Sequence, residues 1–585
     1  MIWKILGLIL MLAAGTLGAA PADAITIYPI DRAQILAGSR FDLKVEFDGV
    51  VNASEARVTI DGKDLPAVLG RSAAFVERED GVAASAMILR DVSLTRPGRY
   101  AVVASDGKSS RTVSWEVFVT GPPKARNVIL FIGDGMSGAH RTAARILTAG
   151  ISEGKYHGGL AMDAMTNMAL VGTAGVDSII TDSANSMSAY TTGHKSSVNA
   201  LGVYADRTPD TLDDPRVETL TSLLKRTGKI AVGVVTNTEV EDATPAAACA
   251  PPWRRRSDYD QIVDMFHESR VDVLMGGGAA HFLPKSSPGS RRKDETDYVA
   301  KFRAAGYAIA TTEREMKSAA ADPVTRKLLG LFHPSNMDGV LDRKFLKQGT
   351  VTSFPEQPDL VDMVRTALTV LARNDDGFVL MVESGLIDKY SHPLDWERAV
   401  MDTIMLDRAV AVAKEFAAAR NDTLILVTAD HTHGVSLVGT VDDAVRSQEM
   451  RDKVGIYEKA GFPSYPPAND EGYPPRLDVS RRLAIFFSAF PDHYETYRPK
   501  LDGPFVPAVA GADKSYVANE KYKDAPGALL RMGNLPHSAP QGVHSGEDVV
   551  LTAMGPGAER VRGFLDNTEV FRIIVDALGL AAEPR

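Results

Sequence analysis

Asn127-Val128-Ile129-Leu130-Phe131-Ile132-Gly133-Asp134-Gly135 is the stretch that decides the fold. The apolar run Val128–Ile132 shows no alternation and is short for a helix, so it reads as a strand buried on both faces. An acidic residue set between glycines follows it. Ala231–Thr236, Val271–Met275, Phe378–Val382 and Thr423–Val427 have the same apolar character. Helix-like stretches separate them, Asp359–Ala372 and Ala399–Ala417 among them. Buried strands alternating with helices predict an α/β fold, with a mostly parallel central sheet flanked by helices.

What stands after the strands predicts where the chemistry lies. Val128–Ile132 leads to Asp134, Ala231–Thr236 to Glu241-Asp242-Ala243-Thr244, Phe378–Val382 to Glu383, and Thr423–Val427 to Thr428-Ala429-Asp430-His431. Open α/β sheets place their sites beyond the carboxyl ends of the strands. Asp134, Asp242, Glu383 and Asp430 should therefore converge, and a cluster of like charges needs cations to be stable. Any one of these acids reads equally well as a turn residue or a helix cap. Together, and with histidines, they predict a metal site. Asp388 and His392, spaced i, i+4, would share one helix face. His431 adjoins Asp430, and His544 sits in a polar, glycine-flanked loop. His433 is close by but is expected to lie outside the ligand set. Thr181-Asp182-Ser183-Ala184 precedes a helical stretch closed by Gly193, which puts Ser183 at a helix N-terminus, where free N–H groups and the dipole favour an anion.

Outside this region the pattern changes. Residues 25–121 read as short strands with turn signals, predicting a small β-sandwich of immunoglobulin-like type, independent of the rest and joined to it by Gly121-Pro122-Pro123. The catalytic part is expected over 125–585, with a Pro- and Tyr-rich insertion at about 440–540, partly helical and outside the sheet. Residues 1–24 hold an apolar run and an A-x-A pattern at Ala22-Asp23-Ala24, which predicts a signal peptide, an exported protein in the periplasm or secreted, and no stable membrane span after cleavage. The chain has 585 residues, a formal net charge of −10 and one cysteine, Cys249. That charge argues against a nucleic-acid surface, and a lone cysteine excludes an intrachain disulfide.

The motifs Asp134-Gly135-Met136, Asp182-Ser183-Ala184, Asp242-Ala243-Thr244-Pro245-Ala246, Glu383 through His392, Thr428-Ala429-Asp430-His431 and Val543-His544-Ser545-Gly546 stand in an order that resembles the alkaline phosphatase family over roughly residues 125–580. The resemblance implies hydrolysis of small phosphate monoesters through a phosphoserine on Ser183. It implies two Zn2+ ions, the first held by Asp388, His392 and His544, the second by Asp134, Asp430, His431 and Ser183. It implies one Mg2+ near Asp134, Asp242, Thr244 and Glu383, with Lys389 beside the phosphate in an outer position. An arginine some dozen residues after the Asp-Ala-Thr motif would clamp the phosphate; ungapped counting gives Arg255, with Arg254 and Arg256 as alternatives. Family members are commonly dimers, so a homodimer is implied too. The rival readings are a phosphodiesterase or sulfatase on the same scaffold and a degenerate exported binding protein. The diesterase relatives use threonine where Ser183 stands, and no Cys/Ser-x-Pro-x-Arg site is present for a sulfatase.

Overall fold

A computed structural model describes residues 25–249, 258–442, 444–445, 454 and 461–581. Residues 1–24, where a signal peptide is expected, and the arginines at 254–256 lie outside the described residues.

The first strands are Ile25–Tyr28 (β1), Gln34–Leu36 (β2), Phe41–Phe47 (β3), Arg57–Ile60 (β4), Lys63–Asp64 (β5), Ala74–Val76 (β6), Ala86–Val92 (β7), Gly98–Ser105 (β8) and Ser110–Phe118 (β9). They form two sheets, ordered β1-β3-β7-β6 and β2-β9-β8-β4-β5. Asp61 and Gly62, both at positive φ, turn β4 into β5, as an Asp-Gly hairpin requires. Phe41, Val45, Phe47, Val102 and Trp115 fill the space between the sheets. That core is completed from elsewhere in the chain: Tyr204 and Val217 are buried within it.

The larger part is built on a ten-stranded sheet. Its strands are Asn127–Gly133 (β10), Asn167–Gly172 (β11), Ala231–Glu239 (β12), Val273–Gly277 (β13), Ala308–Ala310 (β14), Leu328–Leu331 (β15), Phe378–Ser384 (β16), Thr423–Thr428 (β17), Val549–Met554 (β18) and Arg562–Asp566 (β19). The order is β14-β15-β13-β12-β16-β10-β17-β18-β11-β19. All pairings are parallel except those of β18, which runs against β17 and β11. Two layers of helices cover the sheet. One contains Gly138–Ala149 (α1), Leu360–Leu371 (α4) and Trp396–Ala418 (α6); the other contains Ser183–Thr192 (α2), Ala243–Cys249 (α3) and Thr568–Leu578 (α7). The short helix Leu386–Ser391 (α5) follows β16 directly.

Register places the site. Ile132 pairs with both Glu383 and Thr428, and Thr236 pairs with Glu383. The chain therefore leaves four adjacent central strands at one level, and the side chains that follow are delivered to one edge. Among the described residues the segment near 440–540 lies outside this sheet and forms small hairpins, pairing Val435–Asp442 with Arg481–Phe487, His493–Glu495 with Leu529–Arg531 and Ala508–Ala510 with Tyr516–Ala518, together with the helical turn Glu520–Tyr522. Among the described residues no helix is long and apolar enough to cross a membrane.

Candidate metal centre and active site

The turn after β10 is the floor of the site. Asp134 is buried there. Gly135 follows at φ 65, and a Cβ at that position would stand 2.7 Å from a His433 ring carbon, so the turn needs glycine on both counts. Asp430 is fixed from two directions, its Oδ1 accepting Gly135 N–H at 3.1 Å and His431 N–H at 2.9 Å. Its Oδ2 finds no hydrogen-bond partner among the described residues.

α2 presents the serine. Asp182 caps it, accepting Asn185 N–H at 3.0 Å, while the Asn185 side chain accepts Asp182 N–H at 2.9 Å, a reciprocal box. Ser183 is the first helical residue and is 5 % exposed. Its Oγ lies 3.1 Å from His431 Nε2 and 3.4 Å from Asp134 Oδ1. His431 Nε2 is in turn 3.2 Å from Asp134 Oδ1 and 3.4 Å from Asp430 Oδ2.

Beside this group lies a second one. Asp388, on α5, has His392 Nε2 and His544 Nε2 each 3.4 Å from its Oδ1, and the two nitrogens are 3.2 Å from each other. The far side of each ring is tied to a carbonyl: His392 Nδ1–H donates to Gly542 O at 2.7 Å and His544 Nδ1–H to Thr181 O at 2.9 Å. Both Nε2 lone pairs are thereby aimed inward, the arrangement by which outer partners orient metal-binding histidines. Lone pairs this close repel unless a cation stands between them. Asp388, His392, His433 and His544 offer ligand atoms within 4.8 Å of one another, as do Asp134, Asp388 and His431.

A third group lies under Asp134. The Glu383 carboxylate accepts from Thr236 and, at 3.2 Å, from Thr238. Thr244 Oγ1 is buried nearby without a hydrogen bond of ordinary geometry among the described residues. Asp242 carries the Lys389 ammonium at 2.7 Å, and the same ammonium is 3.6 Å from Asp388.

The electrostatics record the same crowding. Burial, reinforced by Asp430, Asp388 and Glu383, pushes the Asp134 carboxyl well above its usual range. Burial raises Glu383 to about 7 and Asp430 to about 6. For Asp388 burial is outweighed by His392, His433, His544 and Lys389, which hold it well below the usual range. Burial would lower Lys389, but Asp242, Asp388 and Asp134 outweigh it and hold the ammonium charged. A pocket of clustered carboxylates and imidazoles with one lysine is a donor set that suits divalent ions: nitrogen and carboxylate for zinc, hard oxygen for magnesium.

Asp134, Asp242, Thr244, Glu383, Asp388, Lys389, His392, Asp430, His431, His544 and Ser183 are thus brought to one end of the sheet. Arg255 and its neighbours lie outside the described residues. His433 is closer in than expected, its Nε2–H donating to Asp388 Oδ1 at 2.6 Å. The signal was available: His431-Thr432-His433 is an i, i+2 pair, and in an extended segment both rings point the same way. The carboxylate anchors Thr236 and Thr238 were also missed; they end an apolar strand and carry no mark of their own.

Comparison with known proteins places the chain by family. The family described as alkaline phosphatase matches residues 125–468. The tissue-nonspecific alkaline phosphatase of Gallus gallus is 31 % identical over 477 residues, covering 75 % of this chain and 82 % of that protein. Alkaline phosphatase 4 of Bacillus subtilis is 30 % identical over 462 residues, covering 77 % and 88 %. Among solved structures, the alkaline phosphatase of Thermus thermophilus superposes with a TM-score of 0.55 at 26 % identity, over 79 % of this chain and 93 % of that one.

Proposed function

The chain belongs to the alkaline phosphatase family, a metal-dependent family of phosphatases, and from that premise we propose that it hydrolyses phosphate monoesters by way of a phosphoserine on Ser183. The observation that carries this reading is the position of Ser183 Oγ, at a helix N-terminus and within 3.4 Å of both His431 and Asp134. In the first half-reaction Oγ attacks phosphorus, the Oγ–P bond forms and the ester P–O bond breaks. In the second, water cleaves Oγ–P and returns the serine and inorganic phosphate. The N–H groups at the start of α2 face the developing negative charge.

Asp388, His392 and His544 would hold one zinc, Asp134, Asp430, His431 and Ser183 a second, and Asp134, Asp242, Thr244 and Glu383 a magnesium. Bound there, the ions neutralise the phosphoryl charge and favour the ionised serine and leaving oxygen. The chain's own residues do the rest. His433 holds Asp388 in place, the Gly542 and Thr181 carbonyls fix the tautomers of His392 and His544, and Lys389 pairs with Asp242. Arg255 is proposed to grip two non-bridging oxygens as a fork, a grip that rewards the monoester, which has three of them free.

The test compares kcat/KM for matched mono- and diesters, with metals quantified, in the wild type and in single alanine variants of Arg254, Arg255 and Arg256. Monoesters should react far better. Arg255→Ala should cost monoester turnover about 2–4 kcal/mol at the transition state, roughly 30- to 1,000-fold, and hurt diesters less. A wild-type preference for diesters would overturn the monoesterase reading.

A further inference from the structure

The segment that follows α2, from Gly193 to Glu218, holds the serine helix at one end and the N-terminal β region at the other. At the helix end, Asn199 N–H donates to Asp182 Oδ2 at 3.0 Å, so the cap beside Ser183 is itself held by this segment. Asn199 does so at φ 64, a conformation asparagine tolerates better than most residues. In mid-helix, Ser188 Oγ donates to Ala200 O at 3.1 Å and accepts Gly202 N–H at 2.9 Å. Just past the helix, buried His194 shares a hydrogen bond of 2.8 Å with the Tyr204 hydroxyl.

At the other end the same segment belongs to the β region. The Tyr204 ring lies 5.5 Å from that of Tyr28 and is buried in the core between the two small sheets. Val217 enters the same core and pairs with Phe41 as an antiparallel bridge. Asp42 N–H donates to Arg216 O at 2.8 Å, and Glu218 N–H to Arg40 O at 2.9 Å. Lys44 pairs with Asp206, and Arg207 reaches the carbonyl of Ser85 at 2.8 Å.

The segment has no regular secondary structure to hold it, and its buried apolar residues divide between two cores: Leu201 packs in that of the large sheet, Tyr204 and Val217 in that of the N-terminal region. Residues 25–118 supply the partners of the second pair, Tyr28 and Phe41, and the backbone bonds from Arg40 and Asp42 beside them. We infer that the N-terminal β region is part of the mounting of the nucleophile: through the positioning residues Tyr204 and His194 it fixes the seat of α2 and hence the position of Ser183 Oγ. The inference rests on Ser183 being the nucleophile. It reverses the expectation of a detachable module, because the module's core and the helix's clamp share Tyr204.

The test uses the full-length, metal-saturated protein and compares wild type with Tyr204→Ala, Tyr204→Phe and Leu329→Ala, the last a core truncation in β15 near the far edge of the large sheet. Four quantities are read: kcat and KM for 4-nitrophenyl phosphate, the rate of phosphoenzyme formation by rapid quench, zinc content, and amide exchange over residues 182–202. Because misplacement of a reacting group by about 1 Å can cost a hundredfold, Tyr204→Ala should lower kcat and the phosphorylation rate by about tenfold or more. KM should stay within about twofold, zinc should be unchanged, and exchange over 182–202 should quicken. Tyr204→Phe, which keeps the ring in the core but removes the hydroxyl bonded to His194, should recover the melting temperature and only part of the rate. Leu329→Ala should lower the melting temperature and leave kcat alone. If Tyr204→Ala yields no folded protein, Tyr28→Ala, which removes the module-side ring, carries the same expectation in smaller measure. The inference is overturned if the Tyr204 and Tyr28 variants melt lower but phosphorylate at the wild-type rate with unchanged exchange, or if their activity falls only in step with lost zinc. Should the wild type itself form no phosphoserine, it is the reading of Ser183 that fails, and the coupling then stands or falls on the exchange data.

Discussion

Of the clusters of buried charge among the described residues, two are balanced in opposite ways. Where the N-terminal β region meets the segment after α2, the fully buried Lys44 pairs with Asp206, with Glu79 at 2.6 Å and with Glu46 at 3.6 Å. Arg207 adds a second cation 3.4 Å from Glu79. The chain supplies its own counter-charge there. At the strand ends, Asp134, Glu383, Asp388 and Asp430 meet His431, which burial pushes well below its usual value, His433, which burial pushes down to about 4, and His544, whose burial is outweighed by Asp388, which raises it. Lys389 is the cation paired with that group among the described residues. The difference separates a structural cluster from a binding one. Both clusters hold buried polar atoms without hydrogen-bond partners among the described residues, but the Glu79 oxygens at the junction face Lys44 and Arg207, whereas Asp430 Oδ2 and the free ring nitrogens of His431 and His433 stand among carboxylates and imidazoles, a donor set that suits an ion arriving from outside.

The sharpest way to break this contrast is to remove metal. Chelation should abolish hydrolysis and lower the unfolding temperature, because ions bound only by the folded state stabilise it, by about 2.7 kcal/mol at a hundredfold excess over Kd. An unchanged melting curve after verified metal loss would put the strand-end cluster in the same class as the junction.

Point substitutions should then act with opposite signs in the two places. Lys44→Met strands three buried carboxylates and should destabilise by about 3–5 kcal/mol, with metals bound or not. Asp430→Asn keeps an oxygen for the Gly135 and His431 N–H groups while removing one repelling charge, so in the metal-free protein it should raise the melting temperature, and in the metal-loaded protein lower it. Denaturant melts of both variants in both states measure the four signs directly. A metal-free Asp430→Asn that is less stable than the metal-free wild type would contradict the account of crowded charge.

A smaller effect tests burial without a partner ion. His140 is buried in α1, where its Nδ1 accepts Ser137 N–H at 3.1 Å, and burial, then His433, pushes it down to about 3. The folded state keeps it neutral while the unfolded chain takes up a proton below about pH 6.5. The stability it contributes is therefore complete above that pH and is lost as pH falls towards 3, at about 1.4 kcal/mol per unit. His140→Gln can keep the capping contact and should flatten stability against pH between 6 and 4. An unaltered slope would show that His140 is not the group being titrated.

The parts visible in the sequence and the parts that were not follow the same physical line. Fully buried strands such as β10 and β17 announce themselves as apolar runs, and acids at their ends stand out because acids are rare there. β11 gave no such signal, since Met168 and Leu170 face solvent and break the buried pattern. The antiparallel β18 was missed as well, for direction is set by partners distant in sequence. His392 and Asp388 could be paired from helical spacing, whereas the role of His433 needed the i, i+2 reading of an extended segment. Tyr204 and Val217 looked like residues of a loop; their burial is decided by strands more than a hundred residues upstream, which no local pattern encodes.

The most direct test of the central claim, that the strand-end cluster drives phosphoryl transfer to Ser183, is to trap the intermediate. Metal-saturated protein is mixed with 4-nitrophenyl phosphate, quenched in acid within milliseconds, digested, and each peptide weighed. The account predicts one peptide carrying an added phosphoryl group, the one containing Ser183, with the label absent in Ser183→Ala and absent after chelation. Phosphate trapped on another residue, or on the Ser183→Ala protein, would contradict it.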